Sequence, residues 1–133
     1  MNDAGRADEG RADEVAAVAQ GIRRKAEEVW GREGLRDVCD LCSLALAQSL
    51  TDRGTPARVV QGKRLGRPHM WVVCRNFIID VTYSEFGPEG VQALVTREGD
   101  SRYEPRLIWH DLAFVYSLPQ LQDRQKELAL LIC

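Results

Sequence analysis

The sequence predicts an α+β domain in which one buried helix packs on an antiparallel sheet. Three observations predict it. The stretch Val38 to Arg53 carries apolar residues on several faces of a helix, which marks a helix buried against more than one neighbour. After Gly54 the pattern changes to short runs rich in β-branched and aromatic residues, Ala57 to Gln61, His69 to Cys74 and Phe77 to Val81, with a weaker run at Val91 to Thr96. Finally, 133 residues at 44% hydrophobic content suit one compact domain with its own core and leave no room for a second catalytic domain.

Taken in chain order, the first element is a direct repeat, Gly5-Arg6-Ala7-Asp8-Glu9 followed by Gly10-Arg11-Ala12-Asp13-Glu14, small, charged and almost free of large apolar groups. We expect residues 1–12 to be a flexible acidic tail and 13–133 a single domain. From Val15 the residues Val18, Ile22, Ala26 and Val29 recur at three- and four-residue steps, the signature of an amphipathic helix ending near Gly31 or Gly34. The central helix follows, with Asp37 as its expected N-cap and Asp40 placing negative charge in the first turn. Gly54 is its stop signal, and Pro56 prevents a return to helix. Arg75-Asn76 reads as a tight hairpin turn between the second and third strands, with Asn76 tolerating positive φ. Beyond Asp100 the signal weakens: Leu107 to Tyr116 suits a strand or a short helix, and Ser117-Leu118-Pro119 suits the cap of a peripheral closing helix over Gln120 to Ile132.

Composition excludes several function classes. A formal net charge of −2 provides no global basic field, so no nucleic-acid partner is expected, although Arg58 to Arg67 is locally basic. No apolar run reaches the roughly 20 residues of a membrane span and no signal pattern opens the chain, which predicts a cytoplasmic protein without a membrane partner. Four cysteines at irregular spacing do not make a disulfide scaffold, so reduced thiols are expected.

One of those thiols sits where chemistry is possible. Cys39 opens the central helix, and free N–H groups at a helix start favour a thiolate, the nucleophilic form. His69 and Asp80 lie on successive strands. If Cys74 faces Phe77 across the hairpin, Trp71 faces Asp80 and His69 becomes its diagonal neighbour, about 7–8 Å away at the backbone and within side-chain reach. A one-residue slip would put the two on opposite faces. In this register Cys39 is the candidate nucleophile, His69 the general acid/base and Asp80 the residue that fixes the histidine tautomer. The Cys39 N–H is one candidate oxyanion donor, and the second is unassigned.

Other chemistries compete for the same residues. Cys39-Asp40-Leu41-Cys42 is a C-x-x-C, but no apolar strand leads into it as a thioredoxin-like redox pair requires. Cys39, Cys42, His69 and Cys74 are the ligand types of a structural zinc site, yet His69 and Cys74 differ by an odd number of residues on one strand and so point to opposite faces. The leading reading therefore expects no metal and no cofactor, with a structural zinc module as a further alternative. Within the helix Cys39 shares a face with Ser43, whereas Cys42 shares one with Leu46, which assigns Cys42 to the core. His110, the other histidine, has no thiol near it in sequence and reads as structural.

The stretches Cys39-Asp-Leu-Cys-Ser43-Leu-Ala-Leu-Ala47-Gln-Ser-Leu50, Gly54-Thr-Pro-Ala-Arg-Val-Val-Gln-Gly62, His69-Met-Trp71-Val and Ile79-Asp80-Val-Thr82-Tyr-Ser-Glu-Phe86 together resemble a small stand-alone bacterial or phage member of the transglutaminase-like, papain-like cysteine enzyme superfamily. The likeness extends more loosely to the leader peptidases of lasso-peptide maturation, and it covers about a third of the chain. It implies a papain-like core with Cys39, His69 and Asp80 as catalytic residues. The implied activity is amide hydrolysis, deamidation or transamidation through a thioester, on a peptide or protein carrying an amide or glutamine side chain. Two departures are visible: Met70 stands before Trp71 where many relatives carry a small or aromatic residue, and no glutamine lies a few residues upstream of Cys39 to act as an oxyanion donor. Because the superfamily includes catalytically silent scaffolds, the alternative is a binding module that uses the cleft near Trp71 and Tyr83 for a peptide or protein partner.

Overall fold

The computed structural model describes residues 2–83, 93–109 and 124–132. Among them are α1 (Asn2–Gly34), a 3₁₀ turn (Leu35–Val38), α2 (Cys39–Asp52), β1 (Arg58–Arg64), β2 (Arg67–Cys74), β3 (Phe77–Asp80), β4 (Leu94–Arg97), β5 (Tyr103–Trp109) and α3 (Gln125–Ile132). The strands form one antiparallel sheet in the order β4-β3-β2-β1-β5, so the architecture is α+β.

In α1 the buried stripe is Val15, Ala19, Ile22 and Ala26, at three- and four-residue steps. The helix also runs back through the repeat to Asn2, the segment read from sequence as a tail, because Ala, Arg and Glu are strong helix formers. It breaks at Gly31, whose φ of 74° and ψ of 167° leave helical space at little steric cost. The N-cap of α2 is Val38, not Asp37, and it makes no side-chain cap bond, since the 3₁₀ turn runs directly into the helix. The helix buries Leu41, Cys42, Leu44, Ala45, Leu46, Ala47 and Leu50. It ends as expected at Gly54 (φ 82°), where the Thr55 N–H reaches back to the Leu50 carbonyl at 2.9 Å.

Two expectations about the remaining elements need correction. The closing helix is not peripheral, because Leu128 and Leu131 of α3 enter the main core beside α2. The last strand begins earlier than the apolar run suggests: β5 includes Glu104, Pro105 and Arg106, residues tolerated there because β5 is an edge strand that pairs only with β1. The expected run Leu107 to Tyr116 and the cap at Ser117-Leu118-Pro119 lie partly or wholly outside the described residues, as does His110.

The sheet separates two clusters by strand alternation. Val59, Val72, Cys74 and Ile79 join the helices in the main core, whereas Val60, Trp71, Val73, Ile78 and Tyr103 form a second cluster on the other face. β4 and β5 occupy opposite edges and opposite strand ends, yet only Glu98–Arg102 connects them. A segment so short, with a reach of about 3.3–3.6 Å per residue, must cross the face away from the helices. Its Glu98 N–H bonds the Asn76 carbonyl and its Arg102 carbonyl accepts from the Leu65 N–H, each at 2.9 Å. Between this strap and the strands lies a cavity of about 230 Å³ floored by Val60, Trp71, Val73 and Ile78. Asp100 shapes the strap by accepting from Arg102 Nη2 (2.7 Å) and Thr96 Oγ1 (2.9 Å), and the Arg102 hydrogen bond holds its carboxyl well below the usual range.

Candidate active site

The hairpin register is the one the site requires. Cys74 pairs with Phe77 and Val72 with Ile79, which continues to Trp71 opposite Asp80. The positive φ of the turn falls on Arg75 (57°) and not on Asn76, a local correction that leaves the pairing intact. His69 and Asp80 therefore share a face, and His69 Nε2 lies 2.9 Å from both carboxylate oxygens of Asp80. A carboxylate only accepts, so Nε2 carries a proton and Nδ1 is the nitrogen left for another partner. That partner comes from α2: the Cys39 side chain is in hydrogen-bonding contact with the His69 ring. The three residues singled out in the sequence thus form one contiguous chain.

Burial and charge divide their roles. Asp80 is fully buried, whereas His69, whose side chain is 16% exposed, and Cys39 are both partly exposed. Burial works against a charged His69, but the hydrogen bonds to Asp80 and Cys39, together with the Asp80 charge, outweigh it and push its pKa up to about 9. The imidazole is therefore protonated at neutral pH. Cys42, one turn further along the same helix, is completely buried, and desolvation first, then the neighbouring Cys39 and Asp40, push its thiol up to about 12. It remains a neutral thiol and fills the core role expected of it.

The carboxylate has further partners that the sequence did not announce. Tyr103 of β5 donates its hydroxyl to Asp80 Oδ2 at 2.8 Å, and the same hydroxyl accepts from Arg64 Nε at 3.1 Å. Arg64 Nε is itself 3.8 Å from Asp80 Oδ2, and its guanidinium lies over the rings of Tyr83 (4.7 Å) and Tyr103 (5.6 Å). Arg64 and Tyr103 are direct cross-strand partners, a signal visible only once β5 is placed. Gly62 leaves room beside them for the β5 backbone and the Trp71 ring. It faces His69 across β1 and β2 and sits at a register shift; a Cβ there would lie 2.1 Å from the Glu104 carbonyl oxygen and 2.9 Å from the Trp71 ring. Trp71 stacks on His69 at 6.3 Å and meets Tyr103 edge-on at 5.1 Å, which fixes both rings.

Two more residues hold the frame. Buried Arg23 of α1 donates Nη1 to the carbonyls of Val81 (3.2 Å) and Tyr83, which pins the chain just after Asp80. Arg124 reaches Asp40 at 2.6 Å and ties the segment before α3 to the first turn of α2 beside Cys39. The Leu41 N–H in that turn is occupied by Asp40 Oδ1 at 2.8 Å and does not serve as an oxyanion donor. Cys74 lies in the helix-side core, across the sheet from His69. Among the described residues no group of three or more His, Cys, Asp or Glu side chains is placed to hold a metal ion, and no helix is long and apolar enough to cross a membrane.

No family model, curated protein or solved structure matches this chain.

Proposed function

We propose that the protein is a cysteine-dependent amide hydrolase or acyl transferase acting through a thioester, as its resemblance to the transglutaminase-like superfamily also implies. The observation that carries this is the run of contacts from Cys39 to His69 to Asp80, with the His69 pKa raised and Cys39 partly exposed. A charged imidazole beside a thiol supports a thiolate and holds the proton that a leaving amine needs.

The steps follow from that pairing. The Cys39 sulfur forms a bond to the carbonyl carbon of an amide, and the carbonyl π electrons move onto oxygen. When the oxyanion collapses, the C–N bond breaks and His69 transfers its Nδ1 proton to the departing nitrogen, leaving a thioester and a neutral imidazole. Water or an amine then attacks the thioester carbon while His69 takes up its proton. The C–S bond breaks, and the acid, or the new amide, is released with the thiolate–imidazolium pair restored. Asp80 keeps the proton on Nε2 throughout, so Nδ1 alone exchanges with substrate. The substrate class is a peptide or protein bearing a backbone or glutamine amide.

Acylation tests this directly. Incubation with an activated acyl ester should add one acyl mass to the chain on Cys39, with turnover restored by water or an added amine, and Cys39→Ala should abolish it. A chain that acylates no faster than free cysteine, or equally well in Cys39→Ala, points instead to the binding-module alternative.

A further inference from the structure

We infer that Tyr103 and Arg64 are positioning residues for the same site, extending the chain of contacts to Arg64–Tyr103–Asp80–His69–Cys39. The inference rests on the catalytic reading above and adds two residues to it. Its basis is geometric. A fully buried carboxylate whose oxygens both face one histidine nitrogen can rotate or draw the imidazole proton toward itself. Here Oδ2 is held by a second donor, the Tyr103 hydroxyl at 2.8 Å, and that hydroxyl is oriented in turn by Arg64 Nε at 3.1 Å. Arg64 cannot accept a hydrogen bond, so the direction is unambiguous: Arg64 donates to Tyr103 and Tyr103 donates to Asp80. The route is built from distant parts of the chain. Tyr103 starts β5 at one edge of the sheet, yet its hydroxyl crosses β1 and β2 to a carboxylate on β3.

The arrangement has a chemical purpose beyond holding the fold. Each donor on Asp80 takes up part of its charge, so less remains to stabilise the imidazolium. Tyr103 and the Arg64 cation therefore keep His69 from binding its proton too tightly to act as an acid. Among the described residues, the titratable and charged groups around this cluster are Cys39 and Asp40 from α2, Arg23 from α1, Arg64 from β1, Arg102 before β5, Tyr103 from β5 and Tyr83 after β3. Burial and the adjacent Asp80 charge push the Tyr103 phenol upward, so it stays a neutral donor over the working range.

The test is the titration of the His69 ring followed by NMR, assigned by its absence in His69→Ala, alongside the pH profile of Cys39 alkylation and the melting temperature. Tyr103→Phe keeps the ring against Trp71 and removes only the donor. We expect the His69 midpoint to rise by about 0.5–1 pH unit, a shift typical of losing one neighbouring donor or charge, and the alkaline limb of Cys39 alkylation to follow it. Arg64→Met should move both in the same direction. If both variants melt earlier but leave the His69 midpoint and the alkylation profile of wild type in place, Tyr103 and Arg64 are structural and the inference is overturned. Failure of the catalytic reading looks different: the midpoint moves as expected in both variants while wild-type Cys39 shows no acylation.

Discussion

The two faces of the sheet are held together differently, and the two cysteines of α2 meet different surroundings. On the helix side, Cys42 lies among Leu41, Leu44, Ala45 and Leu46 in a core of packed apolar side chains. On the other side a small aromatic cluster carries a charged chain, His69, Asp80, Tyr103 and Arg64, crossed by the strap Glu98–Arg102. Cys42 is a neutral thiol because its surroundings cannot solvate charge, whereas Cys39, three residues earlier, meets an imidazolium. The surroundings of each thiol are thus set by which face of the helix it occupies and what the opposing strand brings to it.

Substitutions on either side should separate the two regions. Asp80→Ala is expected to have the largest effect, because it removes the buried acceptor shared by His69 and Tyr103. A loss of about 3–5 kcal/mol in urea unfolding is expected, together with loss of Cys39 acylation. Leu44→Ala deletes packing in the helix-side core and should lower stability by about 2–5 kcal/mol, while folded protein still alkylates at Cys39 at the wild-type rate. A change in that rate would mean that the two faces are coupled.

The pH dependence of stability is a third test. Folding raises the His69 pKa from its ordinary value near 6.5 to about 9, so the folded state binds the proton more tightly. That stabilisation is present in full below about pH 6.5 and is lost as pH rises through about 9, a decline of about 2–3 kcal/mol. His69→Gln should flatten this decline, as equilibrium unfolding at pH 6 and pH 9.5 would reveal; an equal decline in the variant would assign it to other groups. The smallest effect is expected for Cys42→Ala, which removes one buried sulfur. It should cost about 1 kcal/mol and leave acylation unchanged.

The sequence revealed the local half of this design. The apolar faces of α2 come from three- and four-residue periodicity, and the Arg75-Asn76 turn sets the strand register, so Cys39, His69 and Asp80 were legible as a group. Tyr103 and Arg64 were not, because their roles depend on β5 crossing back to β1. Pro105 and Arg106 also disguise that strand as a loop until its edge position is known. Arg23 was hidden for a similar reason: in α1 it looks like one more charged residue, and only the fold brings it to the carbonyls of Val81 and Tyr83. The peripheral role assigned to the last helix failed because Leu128 and Leu131 find their partners on α2, far away in sequence.

The most direct test of the central claim is site-resolved iodoacetamide labelling across pH 5 to 9, read by mass spectrometry on wild type and His69→Ala. Wild-type Cys39 should label at pH 6.5 at least about tenfold faster than an ordinary peptide cysteine, Cys42 should not label in folded protein, and His69→Ala should abolish the Cys39 advantage. Slow labelling of Cys39 that is the same with and without His69 would contradict the account.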